Sequence, residues 1–194
     1  MRMFVALVPP EHALEDLGEF LGPRQEAERG FRWAPAEQWH VTLAFMAEVA
    51  DRSLDDLVAR LARAAARRTP FTVSVAGGGA FPHAGRAKVL WAGLDVSDTV
   101  ELRRLATGAR AAANKSGAEA AGGHFHPHVT VARIGRPIDA TKWIRVLEAY
   151  QGPTWDAAEI SLVQSYLGEG PRKRPRYEVI ESFPLGRAHR SVAP

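Results

Sequence analysis

Cysteine and long hydrophobic runs are both absent from this chain of 194 residues. Without cysteine the protein has no disulfide bond, no thiolate nucleophile and no Cys-ligated zinc or iron–sulfur cluster, a composition typical of the reducing cytoplasm. No apolar run approaches the roughly 20 residues that a membrane-spanning helix needs. The first apolar segment ends at Pro9 and Pro10, which is too early for a signal peptide. We therefore expect a cytoplasmic protein with no membrane partner.

Lysine is scarce as well. The 25 basic residues comprise 21 arginines and four lysines. The chain also has 22 acidic residues, which gives a net charge of +3. An arginine guanidinium can bind two oxygens of a phosphate at once. Arginines on this scale more often form an ordinary solvated surface. The charge therefore permits an anionic ligand without requiring one.

The remaining composition is that of a globular protein, with 46% hydrophobic and 24% charged residues. Strand and helix patterns follow the order strand–helix–strand–helix–strand twice, with a break at residues 77–86, where three consecutive glycines are expected to connect two lobes. We predict an α+β fold of two pseudo-symmetric lobes. Each lobe is expected to be a small, mostly antiparallel sheet with helices on its outer face, and a groove is expected between the lobes.

One bilobal domain is predicted to span residues 1–185, with sequence halves of about 1–80 and 81–185. Residues 186–194 are predicted to form a flexible tail. Nothing in the composition implies an obligate protein partner. We therefore expect a monomer.

The strongest local signal is a four-residue pattern that occurs once in each half. A strand of the first half carries His40-Val41-Thr42-Leu43, and the matching strand of the second half carries His128-Val129-Thr130-Val131. Because side chains alternate between the faces of a strand, each histidine shares a face with its threonine, and the apolar residues face the core. Two such matches are expected in only roughly a few per cent of shuffled chains. We predict that the two lobes present two imidazoles and two hydroxyls to one groove.

These motifs resemble those of the two-histidine phosphoesterases and, among them, the RNA 2′,3′-cyclic phosphodiesterases formerly called 2′-5′ RNA ligases. The resemblance covers nearly the whole chain, and the segments that carry it are residues 2–7, 32–33, 39–45, 125–133, 165–177 and 183–185. The chain departs from the family pattern at Met46-Ala47, where Leu-Gly is usual, and at residues 172–175, where the loop looks longer.

The resemblance implies a metal-independent enzyme without a cofactor that hydrolyses 2′,3′-cyclic phosphate ends of RNA or of small nucleotides to 2′-phosphates. Opening the ring needs a base to activate water and an acid to protonate the departing ribose oxygen, and histidine titrates near neutral pH. The resemblance implies His40 as the acid and His128 on the water side. Thr42 and Thr130 would donate hydrogen bonds to the phosphate oxygens.

Two further residues receive roles from the resemblance alone. Arg133 would bind the phosphate, and Phe45 would stack on the nucleobase. On a regular strand, however, Phe45 has the opposite parity to His40 and Thr42. A position for Phe45 in the hydrophobic core is therefore the alternative.

A metal site is the rival use of the second motif. His124, His126 and His128 recur at every second residue, and three imidazoles on one face are typical of a metal site. Pro127 interrupts the strand between them, and no carboxylate lies nearby in sequence to complete a ligand set. We therefore expect no metal.

Two other functions stay open. The same acid–base pair run backwards would join a 2′,3′-cyclic end to a 5′-hydroxyl as a 2′-5′ bond. A non-catalytic module that binds RNA or nucleotides would keep the fold, although binding alone does not require paired proton-transfer groups.

The basic loop is either a solvated hairpin tip or a surface that steers RNA. It comprises Arg172, Lys173, Arg174 and Arg176.

Overall fold

A computed structural model describes residues 1–186, which form a sheet of nine strands covered by four helices. The strands are β1 (Met3–Leu7), β2 (Arg32–Trp33), β3 (Val41–Met46), β4 (Phe71–Phe81), β5 (Ala87–Val96), β6 (Val129–Ile138), β7 (Trp155–Ala157), β8 (Glu159–Tyr166) and β9 (Arg176–Pro184). The helices are α1 (Glu11–Ala27), α2 (Leu54–Ala65), α3 (Thr99–Lys115) and α4 (Thr141–Glu148). Every strand pairing is antiparallel, so the predicted α+β class is confirmed. None of the helices in residues 1–186 is both long and apolar enough to cross a membrane.

The sheet divides into two lobes at a narrow junction. Its strands follow the order β7-β4-β5-β6-β3-β1-β8-β9, and β2 pairs with β6. Strands β3 and β6 are joined at one residue pair, Val41 opposite Val129. We call β1, β3, β8 and β9 with helices α2 and α3 the first lobe, and β2 and β4–β7 with helices α1 and α4 the second lobe.

The strand order interleaves the two halves of the sequence. Strand β4 lies in the first half but pairs with β5 and β7 in the second lobe. Strands β8 and β9 come last in the chain, yet β8 pairs with β1 in the first lobe. Hydrophobic periodicity predicts that a segment is a strand, but it does not predict which strands pair with it. For this reason the two halves of the sequence do not correspond to the two lobes of the sheet.

The three consecutive glycines do not connect the lobes, because they lie inside β4. Gly77 has a φ of 70° beside a break in the register with β5, a backbone conformation that glycine adopts without strain. A Cβ atom on Gly79 would overlap the indole of Trp91. The glycines therefore permit a bulge and a close approach rather than a flexible connection.

Helices α2 and α3 cover one face of the first lobe. Leu57, Leu61 and Ala65 recur every four residues along α2 and are fully buried, and a buried leucine contributes roughly 1.5–3 kcal/mol. Helix α3 begins after Asp98, whose carboxylate accepts a hydrogen bond from the Glu101 backbone N–H at 2.8 Å. It packs on α2 and on β3.

The last described residue is Gly186, whose backbone N–H donates to the Ala65 carbonyl oxygen at 3.1 Å, at the end of α2. The rest of the predicted tail, residues 187–194, lies outside the described residues. The domain bounds of 1–185 stay a prediction.

Candidate active site

The two histidines of the repeated motif lie at the junction between the lobes. His40 immediately precedes β3, and His128 immediately precedes β6. The residues that follow the two histidines, Val41 and Val129, form the single residue pair that joins β3 and β6. The two imidazoles are therefore related by a local two-fold axis, and both line a cleft of about 750 Å³ between the lobes.

The two threonines complete a diagonal arrangement. Around an antiparallel pair, the residue before one partner lies across from the residue after the other, so Thr130 lies across from His40 and Thr42 across from His128. Residues directly across from each other share a face of the sheet. All four side chains line the cleft, as the two motifs predicted.

Both imidazoles are oriented by the same kind of backbone contact. His40 Nδ1 lies 2.8 Å from the carbonyl oxygen of Gln38, and His128 Nδ1 lies 2.7 Å from that of His126. A carbonyl oxygen can only accept a hydrogen bond, so each Nδ1 carries a proton and donates it. The Nε2 atom of each ring is then free to accept or donate a proton in the cleft.

The surroundings of His40 strongly favour its neutral form. Its ring stacks on Phe4 with centroids 4.4 Å apart and meets the edge of Tyr177 at 5.5 Å. The pKa of His40 is lowered from 6.5 to about 4: burial is the largest cause, the hydrogen bond to the Gln38 carbonyl partly opposes it, and charge on His128 adds to it. His40 is therefore neutral at neutral pH in the free protein.

The surroundings of His128 act in the same direction. Its ring meets the edge of Phe81 at 4.9 Å and lies 6.0 Å from Trp91. Burial lowers the pKa of His128, the hydrogen bond to the His126 carbonyl raises it, and the charges of His126 and Arg133 lower it. Without a bound anion, neither imidazole readily holds a second proton at neutral pH.

A β-bulge in β3 determines where Phe45 points. Ala44 and Thr42 pair with consecutive residues of β1, so Leu43 is an extra residue on the β3 side. A bulge of this kind interrupts the alternation of side chains. Phe45 therefore lines the cleft together with Thr42, and the guanidinium of Arg2 lies 4.4 Å from the centre of its ring.

A second bulge occurs at the matching position of β6. Ala132 and Thr130 pair with consecutive residues of β5, so Val131 is the extra residue here. Arg133 is therefore turned into the cleft together with Thr130, and it is exposed there. Counted from the histidines, Arg133 and Phe45 occupy equivalent positions.

The cleft also contains residues that the motifs did not indicate. Phe4 and Tyr177 contact His40 from β1 and β9, and Gln38 orients it. The cations that line the cleft are Arg2, Arg29, Arg32, Arg133, Arg172, Lys173 and Arg174. Within residues 1–186, neither aspartate nor glutamate lines it. The cleft is therefore suited to an anion. The contributions of β1 and β9 to the site could be assigned only once the strand pairing was known.

The basic loop lies at this cleft. The Gln38 side chain amide donates to the Pro175 carbonyl oxygen at 2.8 Å, which connects the loop to the first motif. Arg172, Lys173 and Arg174 line the cleft. The fourth basic residue, Arg176, forms ion pairs instead with Glu169 at 3.0 Å and Glu178 at 3.1 Å.

The three histidines considered as metal ligands do not form such a set. The rings of His126 and His128 have centroids 6.2 Å apart. Among the residues that the structure describes, no three His, Asp or Glu side chains are placed to hold one ion. The backbone carbonyl of His126 serves instead to orient His128.

The comparisons with known proteins agree with the resemblance of the motifs. The family model of the 2′-5′ RNA ligase superfamily matches residues 9–169. An RNA 2′,3′-cyclic phosphodiesterase of Thermus thermophilus is 32% identical over 97% of this chain and 92% of its own length, and one of Aeropyrum pernix is 33% identical over 74% and 82%. The crystal structure of the Thermus thermophilus protein TT0787 has a TM-score of 0.78 and 31% identity, and covers 97% of this chain and 100% of that one. The chain belongs to the 2′-5′ RNA ligase superfamily.

Proposed function

We propose that the protein hydrolyses 2′,3′-cyclic phosphate ends of RNA or of small nucleotides to 2′-phosphates. The observation that carries this proposal is the meeting of two His–Thr pairs across one junction, in a cleft lined by cations. The relatives named RNA 2′,3′-cyclic phosphodiesterase support the same substrate class. A module that only binds RNA would need the cations but not two imidazoles with free Nε2 atoms.

The geometry suits an in-line displacement at phosphorus. A water oxygen forms a bond to phosphorus while the bond from phosphorus to the ribose 3′ oxygen breaks. The Nε2 atom of one imidazole takes a proton from the water, and the protonated Nε2 of the other gives a proton to the departing oxygen. Because the two rings lie on either side of a local two-fold axis, they suit the two opposite sides of a bound phosphate.

Thr42, Thr130 and Arg133 are proposed to hold the phosphate between the rings. The two hydroxyls and the guanidinium would donate hydrogen bonds to the non-bridging oxygens, on which charge builds in the transition state. Arg133 can contact two oxygens at once. Phe45 is proposed to stack on the nucleobase beside the phosphate.

The proposal needs one histidine as the acid and the other as the base, and two observations bear on which is which. The resemblance implies His40 as the acid, whereas its lowered pKa disfavours the protonated ring in the free protein and favours His40 as the base. A bound phosphate anion raises the pKa of both rings, so the order is decided in the complex.

A sulfur leaving group separates the two assignments. A cyclic substrate with sulfur in place of the 3′ oxygen needs no proton on departure. Of the variants His40→Ala and His128→Ala, the one that has lost the acid should regain most of its rate on this substrate. The variant that has lost the base should stay slow.

The direct test of the function uses a 2′,3′-cyclic mononucleotide. The purified protein, in the presence of a chelator, should convert it to the 2′-phosphate, which phosphorus NMR distinguishes from the 3′-phosphate. The His40→Ala/His128→Ala double variant is the control. Binding without turnover would contradict the proposal in favour of a binding module, and activity that disappears with chelator and returns with zinc or manganese would favour a metal mechanism.

Ligation is the second candidate, since the matched family model is that of the 2′-5′ RNA ligases. It reverses the same displacement, with a 5′-hydroxyl in place of water. Water at bulk concentration favours hydrolysis unless a second RNA end is held in the cleft. Adding an RNA with a 5′-hydroxyl to the same assay would reveal a 2′-5′ linked product.

The cytoplasmic location and the monomeric state of the protein stay predictions.

A further inference from the structure

A second basic groove lies on the helices of the first lobe. It has a volume of about 640 Å³, lies between α2 and α3, and shares no lining residue with the cleft. The basic residues on the α2 side are Arg60, Arg63, Arg67 and Arg68. Those on α3 are Arg103, Arg104 and Lys115. We call this surface the helical groove.

The floor of the helical groove is built from small side chains. The helices run antiparallel, since Ala64 faces Gly108 while Arg68 lies 3.6 Å from Glu101, further along α2 and earlier along α3. A Cβ atom on Gly108 would lie only 3.7 Å from the Ala64 Cβ. Because the helix backbones approach closely, the long basic side chains on either side extend beyond them and line a trough. At 1.5 Å per residue, the part of α3 that carries these basic residues is about 18 Å long.

The two acidic side chains beside the groove are already engaged. Glu101 is buried and accepts a hydrogen bond from the Thr69 backbone N–H at 2.8 Å, besides its contacts with Arg68 and Arg104. Asp56 pairs with Arg60 at 2.7 Å. The other four cations are exposed and have no ion-pair partner within residues 1–186. They are Arg63, Arg67, Arg103 and Lys115.

Four uncompensated cations along one trough repel each other, and a chain of anions with regular spacing would relieve that repulsion. Within residues 1–186, the acidic side chains beside the groove, Glu101 and Asp56, are already paired and do not supply such a chain of anions. An external polyanion matches the charge of the groove.

We propose that the helical groove binds the phosphodiester backbone of RNA, away from the cyclic phosphate end. This inference rests on the proposed function, which supplies RNA as the polyanion. A mononucleotide in the cleft cannot reach the helical groove, because the α2–α3 layer covers the face of β3 opposite to the His–Thr pairs. The helical groove would therefore distinguish RNA chains from small cyclic nucleotides in affinity, while the chemistry stays in the cleft.

The test compares the salt dependence of RNA binding in two variants of the full chain. The groove variant is Arg63→Gln/Arg67→Gln/Arg103→Gln, and the probe is a labelled single-stranded RNA of about 20 nucleotides that ends in a 2′-phosphate. Each lost phosphate contact should lower the slope of log affinity against log salt by about 0.7. Between about 50 and 200 mM salt, the wild-type affinity should therefore fall roughly 15- to 20-fold more than the affinity of the groove variant.

The matched control removes the same charge elsewhere. Arg52, Arg136 and Arg145 line neither the helical groove nor the cleft. Their triple replacement by glutamine should keep a slope close to the wild-type slope. An equal fall in both triple variants would overturn the proposal, because net charge alone would then explain it.

Two further outcomes are decisive. Turnover of a cyclic mononucleotide by the groove variant should match wild type, and a loss would overturn the separation of groove and cleft. An unchanged RNA slope in the groove variant, with polyglutamate bound by wild type but not by the variant, would overturn RNA as the occupant in favour of an acidic protein. If wild type turns over no cyclic mononucleotide, the proposed function fails while the comparison of slopes still tests the RNA site.

Discussion

The two strands that meet at the lobe junction share one architecture and differ in chemistry at one position. Each has a histidine before the strand, an Nδ1–H that donates to the carbonyl two residues earlier, a threonine, and then a β-bulge. After the bulge, β3 has Phe45 and β6 has Arg133. The site is therefore symmetric in the groups proposed to move protons and asymmetric in the groups proposed to recognise a nucleotide.

The two imidazoles also differ in what covers them. His40 is stacked on the ring of Phe4, whereas His128 meets Phe81 edge-on and lies near Arg133. Burial is the largest cause of the lowered pKa of both rings, while the neighbouring charges differ: His128 acts on His40, and His126 and Arg133 act on His128. An acid–base pair needs one neutral and one protonated member, and unequal surroundings provide a way to separate them.

Removal of either imidazole should have the largest effect on this pair. His40→Ala or His128→Ala is expected to lower kcat for a cyclic mononucleotide by roughly 10²–10⁴, the usual contribution of a positioned acid or base. The double variant should lose much less than the product of the two single effects, because the groups act together. Circular dichroism should show an unchanged fold. A single variant with nearly full activity would contradict the paired mechanism.

The threonines test the symmetric part of the site. Thr42→Val and Thr130→Val keep the branched shape and delete the donor, so each should lower kcat by roughly 10² and change KM less. The two effects should be similar, because the local two-fold axis makes the hydroxyls equivalent. Thr72→Val, on an exposed position of β4, is the matched control. Wild-type rates in both cleft variants would contradict the proposed phosphate contacts.

Phe45 and Arg133 test the asymmetric part. Phe45→Leu should raise KM for a cyclic nucleotide about 5- to 150-fold, since a stacked base contributes about 1–3 kcal/mol, and it should have no effect on a ribose cyclic phosphate without a base. Arg133→Ala should slow both substrates, with Arg133→Lys intermediate because it keeps the charge and loses the two-pronged contact. Equal effects of Phe45→Leu on the two substrates would exclude stacking.

Residues that form a pattern along a single strand can be predicted from the sequence. His40, Thr42, His128 and Thr130 are identifiable because a period of two along a strand is a local property of the chain. The antiparallel α+β class follows from the same periodicity. These four residues lie at one cleft because a single cross-strand pair joins β3 and β6; the repeated pattern predicts the shared groove but not that pair.

The residues that depend on pairing cannot be predicted in the same way. The direction of Phe45 depends on a bulge at Leu43, and a bulge forms only against a particular partner strand. Phe4 and Tyr177 reach His40 because β1 lies beside β3 and β9 lies beyond β8, pairings between distant parts of the chain. The glycines of β4 indicate a connector because glycine breaks regular patterns, whereas the structure uses them for close packing against Trp91.

The smallest predicted effect concerns how burial of His40 couples folding to pH. Its pKa is about 4 in the folded protein and 6.5 for an exposed ring, so between these pH values the unfolded chain binds a proton that the folded protein does not. The stabilisation is present above pH 6.5, is lost as the pH falls through 4 and amounts to roughly 3 kcal/mol. Chemical denaturation at a series of pH values should show this slope in wild type and a shallower one in His40→Gln. Phe4→Ala, which uncovers the imidazole but keeps it, should also flatten the slope, because the pKa of His40 then rises toward its ordinary value. A wild-type slope in both variants would place the acid sensitivity elsewhere and contradict burial of His40 as its cause.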